Sequence, residues 1–166
     1  ESWRNLKEEN KVEVKKIFVV GAGTMGSGIA QTAAVSGFET TLMDVSVEQL
    51  QKASTSISRS VDKLLEKGKI SAEQRQAALS IPSTTALSDA GQADLIIEAA
   101  VENPELKIKL FRDLDLCAKE AAILASTTSS ISLTKLAAAT KRPEQVIGMH
   151  FMNPVPLMRL VEVIRG

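Results

Sequence analysis

A single histidine, His150, occurs in the chain, and twelve residues on Glu162 stands inside the apolar run Leu160-Val161-Glu162-Val163-Ile164. A carboxylate in an apolar strand is costly to bury unpaired, and an imidazole nearby is a natural partner for it. Such a carboxylate fixes the tautomer of the ring and raises its basicity, so that the second nitrogen serves as a general base. The same spacing also fits a core histidine with contacts of its own and a Glu162 that faces solvent from an edge strand. A second constellation lies near the start. The apolar run Ile17-Phe18-Val19-Val20 leads into Gly21-Ala22-Gly23-Thr24-Met25-Gly26, and an Ala-rich helical pattern follows. Asp44 then closes the next apolar run, Thr41-Leu42-Met43, 18 residues after Gly26. Strand, glycine turn, helix, strand and acid in this order form a dinucleotide-binding fingerprint.

Each part of the fingerprint has a physical task. Gly21 permits a tight turn, Gly23 lets the backbone approach a pyrophosphate, and Gly26 lets the helix pack close to the strand. The helix N-terminus offers unpaired N–H groups and a partial positive charge to the phosphates. Asp44 can accept hydrogen bonds from the hydroxyls of the adenosine ribose. A carboxylate there repels a 2′-phosphate, and the following Val45 and Ser46 supply no arginine to receive one. These residues therefore point to NAD rather than NADP.

The elements that must position these groups can be traced along the chain. A helix over 27–36 stops at Gly37, a strand covers 40–44, and Ser46 caps a long helix toward Lys67. Ser71-Ala72-Glu73-Gln74 is a capping-box sequence for a second helix, so a helical hairpin over about 47–79 is inserted after the second strand. Further strands are expected over 81–87, 95–100, 122–125, 146–151 and 158–164. Helices are expected from Pro104 to about Lys119 and over about 133–139. This is an α/β pattern: a Rossmann-type, doubly wound, mostly parallel sheet covered on both faces. Ligands bind beyond the carboxyl ends of such strands. The ends in question carry Gly21 to Gly26, Asp44, Ala100 to Glu102, Ser126 to Ser130 and His150 to Asn153.

The bulk properties narrow the partners. The 166 residues suffice for one domain with a core, and the formal net charge is zero, which gives no reason to expect nucleic acid as a partner. No stretch is apolar and long enough for membrane insertion, and no secretory signal stands at the start. The one cysteine, Cys117, allows no internal disulfide and fits a small buried apolar residue in an intracellular, reducing compartment. Which compartment (cytoplasm, mitochondrion or peroxisome) is not legible. The charged opening, residues 1–14, reads as an extension or linker before a nucleotide-binding domain over 15–166. The chain starts with Glu1 rather than Met, as a processed or excised piece would.

Five segments together carry a family resemblance. VVGAGTMGSGIAQ, MD, EAAVENPELK, ASTTSS and GMHFMNPVPLMRLVEV, in that order, resemble the NAD-binding domain of the 3-hydroxyacyl-CoA dehydrogenases, collinearly from about Lys16 to Ile164. His-Phe-x-Asn-Pro followed by Leu-Val-Glu is the most specific part. The resemblance implies that His150 is the general base, that Glu162 orients it, and that Ser129 hydrogen-bonds the substrate oxygen near the nicotinamide. It implies that Glu102, Lys107 and Asn153 line the nicotinamide ribose side, with backbone from Ala100 and Val101. Ser60 and Lys67 match positions that contact coenzyme A; a solvated lysine on a surface helix is an equal reading of Lys67. No metal is implied. The implied reaction interconverts a (3S)-hydroxyacyl-CoA and a 3-ketoacyl-CoA in fatty-acid β-oxidation or related short-chain metabolism. Three positions depart from the family: Thr127 stands for a usual Asn, Met152 for Phe and Pro104 for Leu. The family continues into a helical second domain beyond Gly166, which supplies another active-site Asn and most of a dimer contact. The parent protein is accordingly expected to be a homodimer or part of a multifunctional enzyme, and this part alone to bind NAD with little or no turnover. A reading from another class is a non-catalytic NAD-binding structural or sensor module.

Overall fold

The computed structural model describes residues 13–165. Of the extension read at 1–14, residues 1–12 lie outside the described residues, and Glu13 and Val14 lead directly into the first strand.

A seven-stranded sheet organises the molecule. Its strands are β1 (Lys16–Val20), β2 (Glu39–Met43), β3 (Ser83–Thr84), β4 (Leu95–Glu98), β5 (Ile123–Ser126), β6 (Val146–Phe151) and β7 (Val161–Arg165). The spatial order is β3-β2-β1-β4-β5-β6-β7. The first six strands run parallel, and β7 alone runs antiparallel, against β6. The order reverses between β1 and β4, which opens a crevice above their carboxyl ends. Alternation in β1 divides the core. Ile17 and Val19 face α1 (Thr24–Val35), α2 (Val47–Glu66) and α3 (Ala72–Leu79), together with Leu42, Leu95 and Ile97. Phe18 and Val20 face α4 (Pro104–Cys117) and α5 (Leu133–Ala137), together with Ile96, Phe111, Leu114, Leu124 and Leu136. Both faces of the strands are thereby buried, as a doubly wound parallel sheet requires.

Helix boundaries follow local signals. The Ser46 side chain accepts from the Gln49 N–H at 3.2 Å and starts α2. Ser71 and Gln74 close the expected capping box at 2.9 and 3.2 Å. Asn103 caps α4, with Pro104 in its first turn. Gly37 stops α1 with φ of +91°.

Several boundaries differ from the sequence expectation. Helix α1 starts at Thr24, inside the glycine turn, because Gly23 is already its N-cap. Strand β3 has two residues, not the seven of 81–87. The Thr84 hydroxyl donates to Asp89 at 2.6 Å and accepts from Ala86 N–H at 3.0 Å, which turns the chain into a 3-10 segment, Leu87–Gln92. Strand β4 stops at Glu98, whose carboxylate accepts the Ala100 N–H at 2.7 Å and bends the chain. Helix α4 ends at Cys117 because Arg142 takes up the carbonyls of Asp115, Ala118, Lys119 and Glu120 and pairs with Asp115 at 2.7 Å. Strand β7 begins at Val161 rather than 158, since a turn that returns the Leu157 and Met158 N–H groups to the Pro154 carbonyl must first reverse the chain. Val155 in that turn is buried against Gly28 of α1, where a Cβ would stand 3.0 Å from it.

Candidate active site

The glycine turn sits between the ends of β1 and β2. Gly21 donates its N–H to the Met43 carbonyl at 2.7 Å, with φ of +101°. A Cβ on Gly21 would lie 2.6 Å from the Ala99 carbonyl oxygen, so both space and dihedral demand glycine there. At Gly26 a Cβ would come within 1.7 Å of the Gly21 carbonyl oxygen, which is the close helix–strand approach expected of the third glycine. Gly23 differs from both: a Cβ there would meet nothing within 4 Å. Its open side faces the start of α1, where the first intrahelical bond runs from Ser27 N–H to the Gly23 carbonyl at 2.9 Å. The N–H groups of Thr24, Met25 and Gly26 have no acceptor within the helix, and no acidic residue stands in its first turn. This cradle fits a pyrophosphate.

Asp44 lies at the end of β2 and is held from two sides. Its Oδ2 accepts the Ala22 N–H at 2.8 Å and its Oδ1 accepts the Ser46 N–H at 2.9 Å. Each oxygen keeps lone-pair capacity for a further donor. The acid is therefore fixed against the glycine turn while still able to receive two ribose hydroxyls.

The antiparallel turn-back of β7 brings the second constellation together. His150 on β6 stands directly opposite Glu162 on β7, and Nδ1 lies 3.1 Å from Glu162 Oε2. Their side chains are 37% and 50% exposed, so the pair sits at an open rim rather than in the core. The contact matches an Nδ1–H that donates to the carboxylate, with Nε2 left free of hydrogen bonds to any described residue.

A buried ionic network underlies the crevice between these two constellations. Glu98, at the end of β4, and Lys107, on α4, both have 0% side-chain exposure and meet at 2.5 Å. Glu98 Oε1 also accepts the Ala100 N–H, and its Oε2 accepts the Ser126 hydroxyl at 2.6 Å. Lys107 donates to the Ala100 carbonyl at 3.2 Å and approaches Glu102 Oε2 at 3.4 Å. Glu102 in turn accepts the hydroxyls of Thr128 and, at 2.9 Å, Ser130. Partial burial works against ionisation of Glu102, but the two hydroxyls and the Lys107 charge outweigh it and hold the carboxyl below its usual range. Ser129 lies between these two hydroxyl residues and is exposed at the rim.

The structure distributes the remaining candidates unevenly. Asn153 is exposed just past β6, three residues after His150, and Val101 is exposed at the bend after β4. Lys107 is brought to the site but stays beneath it, behind Ala100 and Glu102. Ser60 lies on α2 beside a shallow cavity of about 790 Å³ that is also lined by Lys52, Arg59 and Lys63. Lys67 is exposed past the end of α2 and does not line that cavity. Cys117 is half-buried; desolvation raises its pKa, and its thiol is within reach of the Leu87 carbonyl at 3.5 Å. These are the surroundings of a packing residue, not of a nucleophile. No helix among the described residues is long and apolar enough to cross a membrane.

Comparison with known proteins agrees with this geometry. Residues 16–166 match the family described as 3-hydroxyacyl-CoA dehydrogenase, NAD binding domain. This chain belongs to that family. The 3-hydroxybutyryl-CoA dehydrogenase of Bradyrhizobium diazoefficiens is 50% identical over 154 residues, which cover 92% of this chain and 53% of that protein. The fatty acid oxidation complex subunit alpha of Pseudomonas entomophila is 44% identical over 155 residues, 93% of this chain and 22% of the subunit. The crystal structure of (S)-3-hydroxybutyryl-CoA dehydrogenase from Ralstonia eutropha superposes with a TM-score of 0.88 at 46% identity, covering 93% of this chain and 55% of that one. The chain thus spans about half the length of the 3-hydroxybutyryl-CoA dehydrogenases it matches. As a 3-hydroxyacyl-CoA dehydrogenase NAD-binding domain, it takes NAD as its cofactor.

Within this NAD-binding domain, four residues carry roles that the sequence alone does not reveal. Glu98 passed as one more member of the run Leu95-Ile96-Ile97-Glu98, although the argument that drew notice to Glu162 applies to it equally. Ser126 and Thr128 were read only as part of a polar strand end, since nothing in the spacing assigns them to Glu98 and Glu102. Gly28 gave no signal of its own because its partner, Val155, is far along the chain.

Proposed function

We propose that this chain is the coenzyme-binding part of an enzyme that interconverts (3S)-hydroxyacyl-CoA and 3-ketoacyl-CoA. The observation that carries the reading is the His150–Glu162 pair, 3.1 Å apart at the same end of the sheet as the glycine turn. The turn from Gly21 to Gly26, with Ala22, Thr24 and Met25, holds the pyrophosphate, and Asp44 holds the adenosine ribose and disfavours a 2′-phosphate. Ala100, Val101, Glu102 and Asn153 line the nicotinamide ribose side, with Lys107 bracing them from below. Bound NAD⁺ supplies the hydride acceptor for C3 of the substrate. His150 Nε2 accepts the proton of the 3-hydroxyl as the carbonyl forms, and returns it in the reverse direction. Glu162 holds Nδ1 protonated and stabilises the imidazolium, and Ser129 donates a hydrogen bond to the substrate oxygen. Ser60 and Lys67 contribute to the coenzyme A site.

The names of the relatives support a short acyl chain and a place in a fatty acid oxidation complex. We propose that the parent protein is a homodimer or part of a multifunctional enzyme. A reducing intracellular compartment agrees with the single half-buried thiol. The test is oxidation of 3-hydroxybutyryl-CoA by the protein that contains this chain. Replacing the base, His150→Gln, is expected to lower kcat by about 10²–10⁴-fold while NADH binding persists. Wild-type rates in that variant would remove His150 from the reaction. NAD binding without turnover in the intact wild-type protein would instead support a structural or sensor module.

A further inference from the structure

Glu98 and Lys107 form a fully buried ion pair that touches neither solvent nor the proposed site for substrate. An apolar pair of similar volume generally stabilises a fold as well or better, so fold stability alone is a weak reason for a carboxylate and an ammonium in this position. What the pair does hold is a set of backbone and hydroxyl groups at the ends of two strands. Glu98 takes the Ala100 N–H, Lys107 takes the Ala100 carbonyl, and the two fix both polar groups of one residue at the bend after β4. Through Ser126, Glu98 reaches the end of β5, where the Ser126 hydroxyl also accepts the Thr128 N–H at 3.3 Å. Through Lys107 it reaches Glu102, which grips the hydroxyls on either side of Ser129.

The location of this unit decides what it positions. Asp44 claims the β2 side for the adenosine ribose, and α1 claims the pyrophosphate between β1 and β4. The other half of an extended dinucleotide must then run over β4 and β5 toward His150 on β6. The Glu98 network lies at the ends of β4 and β5, beneath that path. We propose that Glu98 is a positioning residue: with Lys107 and Ser126 it locks the bend at Ala100 and the Ser129 loop into one wall for the nicotinamide half of the coenzyme. The inference rests on the reading of this crevice as an NAD site.

Isothermal titration of the chain with two ligands tests it: NADH, and ADP, which lacks nicotinamide and its ribose. The double variant Glu98→Leu with Lys107→Met removes the charges together and keeps the volume, but it leaves the Ala100 N–H and the Ser126 hydroxyl without their acceptor, so the chain is expected to fold with a melting temperature lowered by a few degrees. NADH affinity is expected to fall about tenfold or more, as loss of a charge-assisted positioning contact would cause, while ADP affinity stays within about twofold. A double variant in which both affinities fall by the same factor, or in which neither falls, overturns the proposal. Glu98→Gln keeps the shape with one acceptor fewer and serves if the double variant does not fold; it is expected to weaken NADH by about threefold or more and to spare ADP. Equal effects on both ligands there overturn the proposal as well. A wild-type chain that binds neither ligand overturns the NAD reading itself and the inference with it, an outcome distinct from an unchanged ratio in the variants.

Discussion

The three fingerprint glycines invite one experiment in which identical substitutions have opposite consequences. Each is replaced by alanine in turn, and thermal unfolding and NADH fluorescence titration are followed for all three. At Gly26 the new Cβ would lie 1.7 Å from the Gly21 carbonyl oxygen, a backbone atom that no rotamer change can move. Overpacking of this kind costs about 1–3 kcal/mol, and a rigid neighbour puts Gly26→Ala near the upper end. For a chain of this size that is a fall in melting temperature of roughly 6–12 °C. At Gly21 the positive φ of +101° adds to a 2.6 Å approach to Ala99. The left-handed backbone alone costs an alanine about 1–2 kcal/mol, so Gly21→Ala should be at least as damaging as Gly26→Ala. At Gly23 the added methyl meets nothing within 4 Å, and φ of −69° suits any residue. The loss of an N-cap glycine and the entropy gained by stiffening the unfolded chain are both below about 1 kcal/mol and opposite in sign, so Gly23→Ala should melt within a few degrees of wild type. The space that methyl would fill is the space a pyrophosphate needs, and NADH affinity should fall by roughly 5- to 150-fold, the equivalent of about 1–3 kcal/mol of overpacking. Wild-type NADH affinity in a folded Gly23→Ala protein would refute the assignment of the cradle. Equal melting temperatures for Gly23→Ala and Gly26→Ala would refute the steric argument.

Two further outcomes follow from the charges. Wild-type protein should bind NADH at least about tenfold more tightly than NADPH, because the Asp44 carboxylate opposes a 2′-phosphate at close range. Asp44→Asn should narrow that ratio, and a ratio near one in the wild type would remove Asp44 from coenzyme selection. Asp94 is held at a pKa of about 2 by the Lys119 ammonium first and then by the N–H groups of Lys16 and Lys15, against an ordinary value of 3.8. A carboxyl depressed by folding stabilises the fold above its unfolded value and loses that contribution as pH falls through the folded one. Asp94→Asn should therefore lower stability at neutral pH by about 1 kcal/mol after solvent screening, with the difference shrinking below pH 3.8 and absent below pH 2. Chemical denaturation at several pH values checks this, and a difference that grows in acid would contradict the assignment.

Much of this molecule is written in interactions that span a few residues. Ser46 with Gln49, Ser71 with Gln74 and Asn103 with Leu106 are caps closed within three positions, so the starts of α2, α3 and α4 were legible. The glycine turn was legible for the same reason: its demands on backbone dihedrals and on close approach belong to the segment itself, and Asp44 follows at the distance one helix imposes. Ends that depend on distant partners were not. Helix α4 stops where Arg142 arrives from a later segment, and the last strand starts only after the turn at Pro154 has reversed the chain.

The amino-acid order by itself thus determined the alternation of strands and helices, the glycine cradle with its acid, and the kinds of group available for proton transfer. Only the tertiary structure decided that His150 meets Glu162, because that contact exists in one antiparallel register and a slip of one residue would turn the carboxylate to the opposite face. Only the tertiary structure decided that Lys107 serves Glu98 from beneath the crevice, since burial is a property of everything packed around a side chain and not of its neighbours in the chain.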